Sequence, residues 1–244
     1  MRTLLIGGAR SGKSALAARW SNERSTTVCT LVTGLESDPE MVARIAAHRR
    51  ERPAHWRVRE EPVYLGRALR EEGMRPTLSP AAWASAPASP SGLASPSGLA
   101  SPAALASPFA PASPSALAPP SALAPPSAAA PLLLVDCLTL WISNCLWPPA
   151  QVVDGNDYAT WHRERDDFLD ALAACTADVI IVTNEVGTGI VPNNAASRVF
   201  RDEQGWLNQV VAAICDEVFF VTAGLPMCLK PSQPTPVRTT TQLP

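Results

Sequence analysis

The chain has 244 residues, 46% of them hydrophobic, and its 20 basic and 22 acidic side chains give a formal net charge of −2. This charge gives no electrostatic footprint for DNA or RNA, whose binding normally needs a basic patch, so we expect no nucleic-acid partner. The apolar runs are too short for a membrane span or a signal-peptide core, and we therefore expect a cytoplasmic protein with no membrane span.

The first element is a short apolar strand at residues 3–6, followed at once by an octet with the pattern G-x-x-x-x-G-K-[ST] and then by a helical pattern. In that context the octet predicts a phosphate-binding loop (P-loop) for a nucleoside triphosphate, ATP or GTP. Lys13 can reach the β- and γ-phosphates, and the Ser14 hydroxyl can ligate Mg²⁺. The alternative is a glycine turn that carries a lysine by chance. The octet comprises Gly7, Gly8, Ala9, Arg10, Ser11, Gly12, Lys13 and Ser14.

Beyond this loop, strands alternate with helices, and most of the strands are continuously apolar. The pattern predicts an α/β fold in which a parallel sheet is covered by helices on both faces. Asn194 is predicted to cap the last helix. Further strands are predicted at residues 28–33, 57–59, 132–136, 178–184 and 217–222, the last strand of the fold, and helices at 40–50, 63–70, from 138, 158–175 and 195–215.

The segment at residues 76–131 interrupts this pattern. It has no charged residue, carries fourteen of the 25 prolines and repeats Ser-Pro-Ser-Gly-Leu-Ala from Ser89 and again from Ser95. Such a composition cannot bury enough apolar surface to order itself, and we predict a disordered insert. We also predict a disordered tail at 231–244, which leaves a single P-loop domain within residues 1–230, with its core at 1–75 and 132–230.

Asp136 follows an apolar run at the end of a predicted strand. Ligands of parallel sheets bind at the carboxyl ends of the strands, where residues 7–14, 33–34 and 184–185 also fall. We therefore predict that Asp136 coordinates Mg²⁺, directly or through water, or hydrogen-bonds the nucleotide ribose. The alternative is an N-cap for the helix that begins near residue 138.

Two histidines are candidate nucleophiles. His48 has helical spacing with Met41 and Ile45, so it is either a packed core side chain or a nucleophile for a phosphorus centre. A cluster of arginines that suits a polyphosphate favours the second interpretation, and His55 could play the same part. The residues alone leave both histidines open. The arginines are Arg44, Arg49, Arg50 and Arg52.

A second polar segment, at residues 184–192, contains two glycines and follows a core strand. Glu185 belongs either to a structural turn between strand and helix or to the site. In the site it would contact the substrate or accept a hydroxyl proton.

With these segments in place, the chain resembles the bifunctional adenosylcobinamide kinase/adenosylcobinamide-phosphate guanylyltransferase family of cobalamin biosynthesis. The resemblance extends over nearly the whole predicted core, in family order, but the family typically has a short loop in place of the insert. The resembling segments are residues 7–14, 44–56, 136–139 with Asn144, 183–192, 200–202 and 208–209.

The resemblance implies a P-loop NTPase fold of the RecA type, a homotrimer and two reactions at one nucleotide site. The first transfers the γ-phosphoryl group of ATP or GTP to adenosylcobinamide. The second transfers GMP from GTP to adenosylcobinamide phosphate through a guanylylated histidine, which the resemblance assigns to His48. The implied nucleotide contacts are the P-loop, Val32, Thr33, Gly34, Arg49, Arg50, Glu51, Arg52, Glu60 and Asp136.

Three other functions compete with this interpretation. A P-loop kinase of a small alcohol would lack nucleotidyl transfer. A regulatory GTP-binding switch would need an N-K-x-D guanine signature, which the segment at 184–186 lacks. A scaffold organised by the Pro/Ala/Ser insert has no binding motif to support it.

Deleting residues 77–130 should leave the fold and nucleotide-dependent activity nearly intact. Loop closure entropy changes by only about 0.6 kcal/mol per doubling of loop length. Thermal unfolding of the deletion variant, measured beside the full chain, tests this prediction. A loss of more than about 10 °C, well beyond what about 1 kcal/mol causes in a domain of this size, would show that the segment packs on the core.

Overall fold

The computed structural model of the chain describes residues 1–35, 42–43, 45–46, 49–50, 52–73, 131–148 and 158–232. The predicted insert up to residue 130 and the predicted tail beyond 232 lie outside the described residues, as do His48 and Glu51. The described residues at 42–43, 45–46 and 49–50 are helical, as predicted for the helix at 40–50.

The described residues also form seven strands and five further helices. They are β1 (Arg2–Gly7), α1 (Lys13–Arg24), β2 (Val28–Val32), β3 (Arg57–Glu60), α2 (Leu65–Gly73), β4 (Leu132–Asp136), α3 (Leu138–Leu146), α4 (Tyr158–Ala174), β5 (Val179–Asn184), α5 (Ala195–Ile214), β6 (Glu217–Thr222) and β7 (Leu225–Lys230).

The strands form one sheet in the order β3-β2-β4-β5-β1-β6-β7. Strands β1 to β6 pair in parallel, and only β7 is antiparallel. The central strands are apolar along their length because both of their faces are covered. The prediction of a parallel α/β sheet is confirmed.

Side chains of the strands alternate between two apolar layers. On one face, Leu5 packs with Trp20 of α1. On the other face, Leu4 belongs to a larger layer that includes Trp141 of α3 and Leu207 of α5, and α2 and α4 contribute to it as well. This arrangement confirms helices on both faces. Among the helices that the structure describes, none combines the length and the apolar character that a bilayer crossing requires.

The last helix begins as the sequence indicates. The side chain of Asn194 accepts a hydrogen bond of 2.7 Å from the backbone N–H of Ser197, three residues later. An asparagine in this position satisfies one of the donors that a helix leaves without an internal partner. The capping prediction is confirmed.

The prediction that β6 is the last strand is wrong, because β7 follows it as an antiparallel partner. Ala223 and Gly224 join the two strands with positive φ angles of 50° and 78°, as in the tight turns that match strand twist. Pro226 is tolerated because β7 lies at the edge of the sheet. The Nζ of Lys230 donates to carbonyl oxygens at the end of α5, those of Ala212, Ala213 and Cys215, and so ties the hairpin to the helix.

The two described elements that flank the insert lie close together. A Cβ placed on Gly73, the last residue of α2, would be 3.7 Å from the Cδ1 of Leu133 near the start of β4. It would also lie 3.2 Å from the Sγ of Cys175. Because β4 begins here, the connection enters the sheet at its amino edge, opposite the carboxyl ends of the parallel strands.

Trp141 is the centre of the larger apolar layer. It is fully buried, its ring lies 5.5 Å from Trp161 and 5.0 Å from Phe168, and its indole N–H donates to the Val63 carbonyl at 2.7 Å. The side chain therefore links α3 and α4 to the start of α2 through both packing and a hydrogen bond.

We expect Trp141→Ala to reduce the free energy of unfolding by about 3–5 kcal/mol, because it leaves a cavity and an unpaired carbonyl. Urea unfolding followed by circular dichroism measures the change. Trp206→Ala is the matched control. That side chain is 42% exposed and stacks on Arg165, so its loss should cost no more than about 1 kcal/mol. Equal losses in the two variants would contradict the packing described here.

Candidate functional site

A cleft opens at the carboxyl edge of the sheet, where the loops after β1, β2, β4 and β5 meet. Polar ends of strands converge at this edge in parallel sheets, and ligands bind there. The cleft is lined by Lys13, Ser14, Val32, Gly34, Ile45, Arg49, Arg52, Glu60, Asp136, Cys137, Leu140, Val182 and Asn184. Eight of these are among the eighteen predicted site residues, and they come from both ends of the predicted set, the P-loop and the loops after the neighbouring strands.

The loop between β1 and α1 contains a tight turn at Gly12. Gly12 has a φ of 90°, and a Cβ on it would be 3.0 Å from the Cα of Gly224 in the β6–β7 turn. The Ser11 carbonyl accepts a 2.8 Å hydrogen bond from the Gly224 N–H at the same point. Helix α1 then begins at Lys13 with no side chain capping its first turn. A helix N-terminus in this state offers its backbone N–H groups and its positive end to an anion.

Lys13 is only 7% exposed, although it carries a charge. Its ammonium group donates to the Gly8 carbonyl at 3.0 Å, so the side chain folds back over the loop from which it comes. The Ser11 hydroxyl is also buried, and it has no hydrogen-bond partner among the described residues. Both observations fit a loop built to hold an anion that brings its own acceptor oxygens.

Asp136 faces the cleft and does not cap the following helix. The N-cap position of α3 is Cys137, and no side chain makes a capping hydrogen bond there, so the N-cap interpretation of Asp136 is wrong. One carboxylate oxygen instead lies 3.5 Å from the Arg52 guanidinium, and both side chains are more than four-fifths buried. Asp136 therefore brings a shielded negative charge to the P-loop side of the cleft, next to an arginine.

A second arginine–carboxylate pair lies at the mouth. Arg49 and Glu60 are 2.5 Å apart, and about half of each side chain is exposed, so solvent screens their attraction. Arg50 is exposed, donates to the Ala46 carbonyl and is not among the residues that line the cleft. Of the arginines with described side chains, Arg49 and Arg52 thus face the site.

Thr33 does not line the cleft but holds the backbone of the loops that do. It is fully buried, and its hydroxyl donates to the Cys137 carbonyl at 2.7 Å and accepts from the Cys137 N–H. Its own carbonyl accepts a hydrogen bond from the Asn144 side chain. These bonds join the ends of β2 and β4 and fix the backbone on either side, so that Val32 and Gly34 reach the cleft while the Thr33 hydroxyl is used within the fold.

Asn184 and Glu185, the two polar residues at the end of β5, have different surroundings. Asn184 lines the cleft, whereas the Glu185 carboxylate accepts a hydrogen bond of 2.5 Å from the Gly187 N–H two residues later. The structure thus favours the turn for Glu185. Sequence reasoning pointed to Glu185 and did not assign Asn184, because two adjacent polar residues at a strand end carry no signal of which one faces the ligand.

Sequence reasoning also missed Cys137, which lines the cleft directly after Asp136. Burial, and then the neighbouring Asp136 charge, raise the pKa of the Cys137 thiol to about 11. The thiol is therefore protonated at neutral pH and supplies a neutral, weakly polar surface. Together with Leu140 and Val182 it gives the cleft an apolar wall beside the charged loop.

The chain is similar in sequence to the proteins of one known family. The model of the family described as cobinamide kinase / cobinamide phosphate guanyltransferase matches residues 3–79 and 115–229, so that the unmatched residues 80–114 lie inside the predicted insert. The bifunctional adenosylcobalamin biosynthesis protein CobP of Pseudomonas aeruginosa is 36% identical over 231 residues, 94% of this chain and 98% of its own length. Proteins named CobU from Salmonella typhimurium and Escherichia coli are 32% and 29% identical over 236 residues, 94% of this chain and all of theirs.

The contact between Gly12 and Gly224 leads to a prediction about the loop. Gly12→Ala should weaken binding of a fluorescent GTP analogue at least tenfold, because alanine is strained at a φ of 90° and meets the Gly224 backbone. Gly205→Ala is the matched control, since a Cβ there meets no atom within 4 Å and the residue lies in α5, not in the cleft lining. If the two variants bind the analogue equally well, the loop geometry does not control nucleotide binding.

Proposed function

The chain belongs to the cobinamide kinase / cobinamide phosphate guanyltransferase family, and on that premise we propose how it carries out the two activities. The kinase activity transfers the γ-phosphoryl group of ATP or GTP to the hydroxyl of adenosylcobinamide. The guanylyltransferase activity transfers GMP from GTP to adenosylcobinamide phosphate and gives adenosylcobinamide-GDP. Both reactions use the cleft at the carboxyl edge of the sheet.

The observation that carries the proposal is the meeting of Lys13, Ser14 and Asp136 in one cleft with Arg49 and Arg52. Lys13 and the N-terminus of α1 would hold the phosphates, since both are positive and lie next to each other in the loop. The arginines would stabilise charge that develops on a leaving phosphate group. Val32, Thr33, Gly34, Arg50, Glu51 and Glu60 complete the proposed nucleotide-binding set.

The same cleft suits Mg²⁺. Ser14 offers a hydroxyl and Asp136 a carboxylate, and oxygen ligands of this kind, completed by phosphate oxygens and water, are those that Mg²⁺ prefers. The bound ion would neutralise phosphate charge. Because Arg52 is the described partner of Asp136, we propose that it shifts toward phosphate oxygens once the carboxylate is used by the metal.

We further propose His48 as the nucleophile of guanylyl transfer. A nitrogen lone pair of the neutral imidazole would form the bond to the α-phosphorus of GTP, while the bond to the bridging oxygen breaks and pyrophosphate leaves. A phosphate oxygen of adenosylcobinamide phosphate would then take the GMP group and restore the histidine. One difficult displacement is thereby divided into two.

Sequence spacing beside the cleft supports His48 over His55. Ile45 and Arg49 are helical and line the cleft, and His48 follows Ile45 by three residues, the spacing of neighbours on one helix face. His55 is exposed, and it is not part of the cleft lining that the described residues form. A homotrimeric assembly and a cytoplasmic location complete the proposal, and sedimentation velocity tests the first.

Incubation with GTP and Mg²⁺ should add the mass of one GMP group to the protein, as read by intact mass spectrometry. The adduct should be labile in acid and stable in alkali, as a phosphoramidate is, and peptide mapping should locate it on His48. His48→Ala should abolish it, while the matched variant His55→Ala should retain it.

The opposite pattern in these two histidine variants would overturn the assignment. A complete absence of adduct with normal kinase turnover would leave a small-molecule kinase without nucleotidyl transfer.

Lys13→Ala should lose adduct formation together with kinase turnover if one loop serves both reactions.

A further inference from the structure

The Asn184 side chain carries a buried oxygen that no described residue pairs. Its Oδ1 is inaccessible to solvent and has no hydrogen-bond donor among the described residues, although Asn184 lines the cleft beside Lys13 and Asp136. Buried polar atoms in folded proteins nearly always have a partner. An unpaired acceptor on a side chain that lines a binding cleft therefore marks a place where a ligand can supply the donor, once the carboxamide turns its oxygen toward the cleft.

The fold holds the Asn184 backbone from three sides. Its Cα pairs in register with that of Gly7, the first residue of the P-loop. The Thr139 hydroxyl of α3 donates to its N–H at 2.8 Å, and the Asn208 side chain of α5 donates to its carbonyl at 3.0 Å. These contacts fix the backbone from which the carboxamide projects, on the strand that lies between the P-loop strand and the Asp136 strand.

Asn208 is itself held in place, which extends the support. Its Oδ1 accepts from the Thr183 hydroxyl at 2.8 Å and from the Gln204 amide at 2.9 Å, and the Gln204 amide also donates to Thr183. Thr183 and Gln204 are fully buried. A polar network of this kind inside a core fixes geometry at the cost of burying several polar groups, and here it ends at the backbone carbonyl of Asn184.

The nucleotide phosphates cannot be the missing partner, since their oxygens are acceptors and would repel a carbonyl oxygen. The cations that line the cleft have described acceptors of their own: the Gly8 carbonyl for Lys13, Glu60 for Arg49 and Asp136 for Arg52. The donors that remain in the proposed chemistry are water bound to Mg²⁺, the hydroxyl groups of the nucleotide and a hydroxyl group on the second substrate. Of these, the substrate hydroxyl is the donor that has to be held in one orientation for the reaction. The kinase reaction requires such a hydroxyl next to the γ-phosphate.

We propose that Asn184 binds and orients the acceptor hydroxyl of the kinase reaction, an inference that rests on the proposed function. The hydroxyl donates its hydrogen bond to Oδ1, which turns an oxygen lone pair toward the γ-phosphorus. The new oxygen–phosphorus bond forms as the bond to the β,γ-bridging oxygen breaks, and the nucleoside diphosphate leaves with that electron pair. The hydroxyl proton is released to water, because a carboxamide is too weak a base to keep it.

Guanylylation of the enzyme separates this role from a merely structural one, because that half-reaction involves no acceptor hydroxyl. In Asn184→Leu, kcat/KM for the corrinoid acceptor should fall at least about tenfold, the loss of one hydrogen bond to a reacting group. The rate of adduct formation with GTP and the affinity for a fluorescent GTP analogue should stay within about threefold of the parent. Asn193→Leu, the same change at an exposed residue nearby, is the control and should alter neither reaction.

An acceptor analogue with hydrogen in place of the hydroxyl provides an independent arm. The parent enzyme should bind the analogue more weakly than the natural acceptor, whereas Asn184→Leu should bind the two equally, because the pairing atom is gone. Equal discrimination by the parent and the variant would overturn the proposal. So would an equal loss of both reactions in a variant whose melting temperature is unchanged.

Asn184→Ala repeats the test if the leucine variant does not fold. If the parent enzyme forms no adduct, the guanylyl-histidine proposal fails while the analogue comparison still decides the role of Asn184. If the parent forms the adduct and Asn184→Ala retains full kinase turnover, the inference about Asn184 fails and the proposed function stands.

Discussion

The site depends on the close contact between the P-loop and the hairpin formed by β6 and β7. A side chain on Gly7 would overlap the Val221 carbonyl of β6, and one on Gly12 would press on Gly224. The loop is thus held against the sheet by backbone on backbone, and its position sets where α1 begins and where Lys13 lies. The hairpin of β6 and β7 is part of this support, because its turn supplies the N–H that fixes the Ser11 carbonyl.

Most strands of the sheet could be predicted from the sequence because each is a local pattern. The bounds of β4 and β6 agree with their apolar runs, which are buried on both faces. Strand β7 could not be predicted, since Leu-Pro-Met-Cys-Leu-Lys has no alternation and includes a proline. Its stability comes from its pairing with β6 and from the Lys230 amine, which donates to a carbonyl at the end of α5. A local sequence pattern cannot show such contacts between segments.

The same distinction separates the parts of the site. The P-loop and Asp136 could be predicted because their chemistry depends on consecutive residues at a strand end. The place of Asn184 could not be predicted, because its backbone is held by Thr139 and Asn208, which come from two helices far from it in sequence. The Arg52–Asp136 pair is of the same kind: both residues were predicted, but only the fold shows that they face each other. The nucleophile assigned to His48 stays a prediction.

The neighbouring positions of Gly73 and Leu133 have a practical meaning for anyone who wishes to attach this enzyme to something else. The chain leaves and re-enters the domain at nearly the same point, on the edge of the sheet opposite the cleft. A reporter domain or a surface anchor inserted between these residues would lie at the amino edge of the sheet, away from the cleft at the carboxyl edge. The closeness of the two junctions also means that the graft would need termini that lie together, as those of many small domains do.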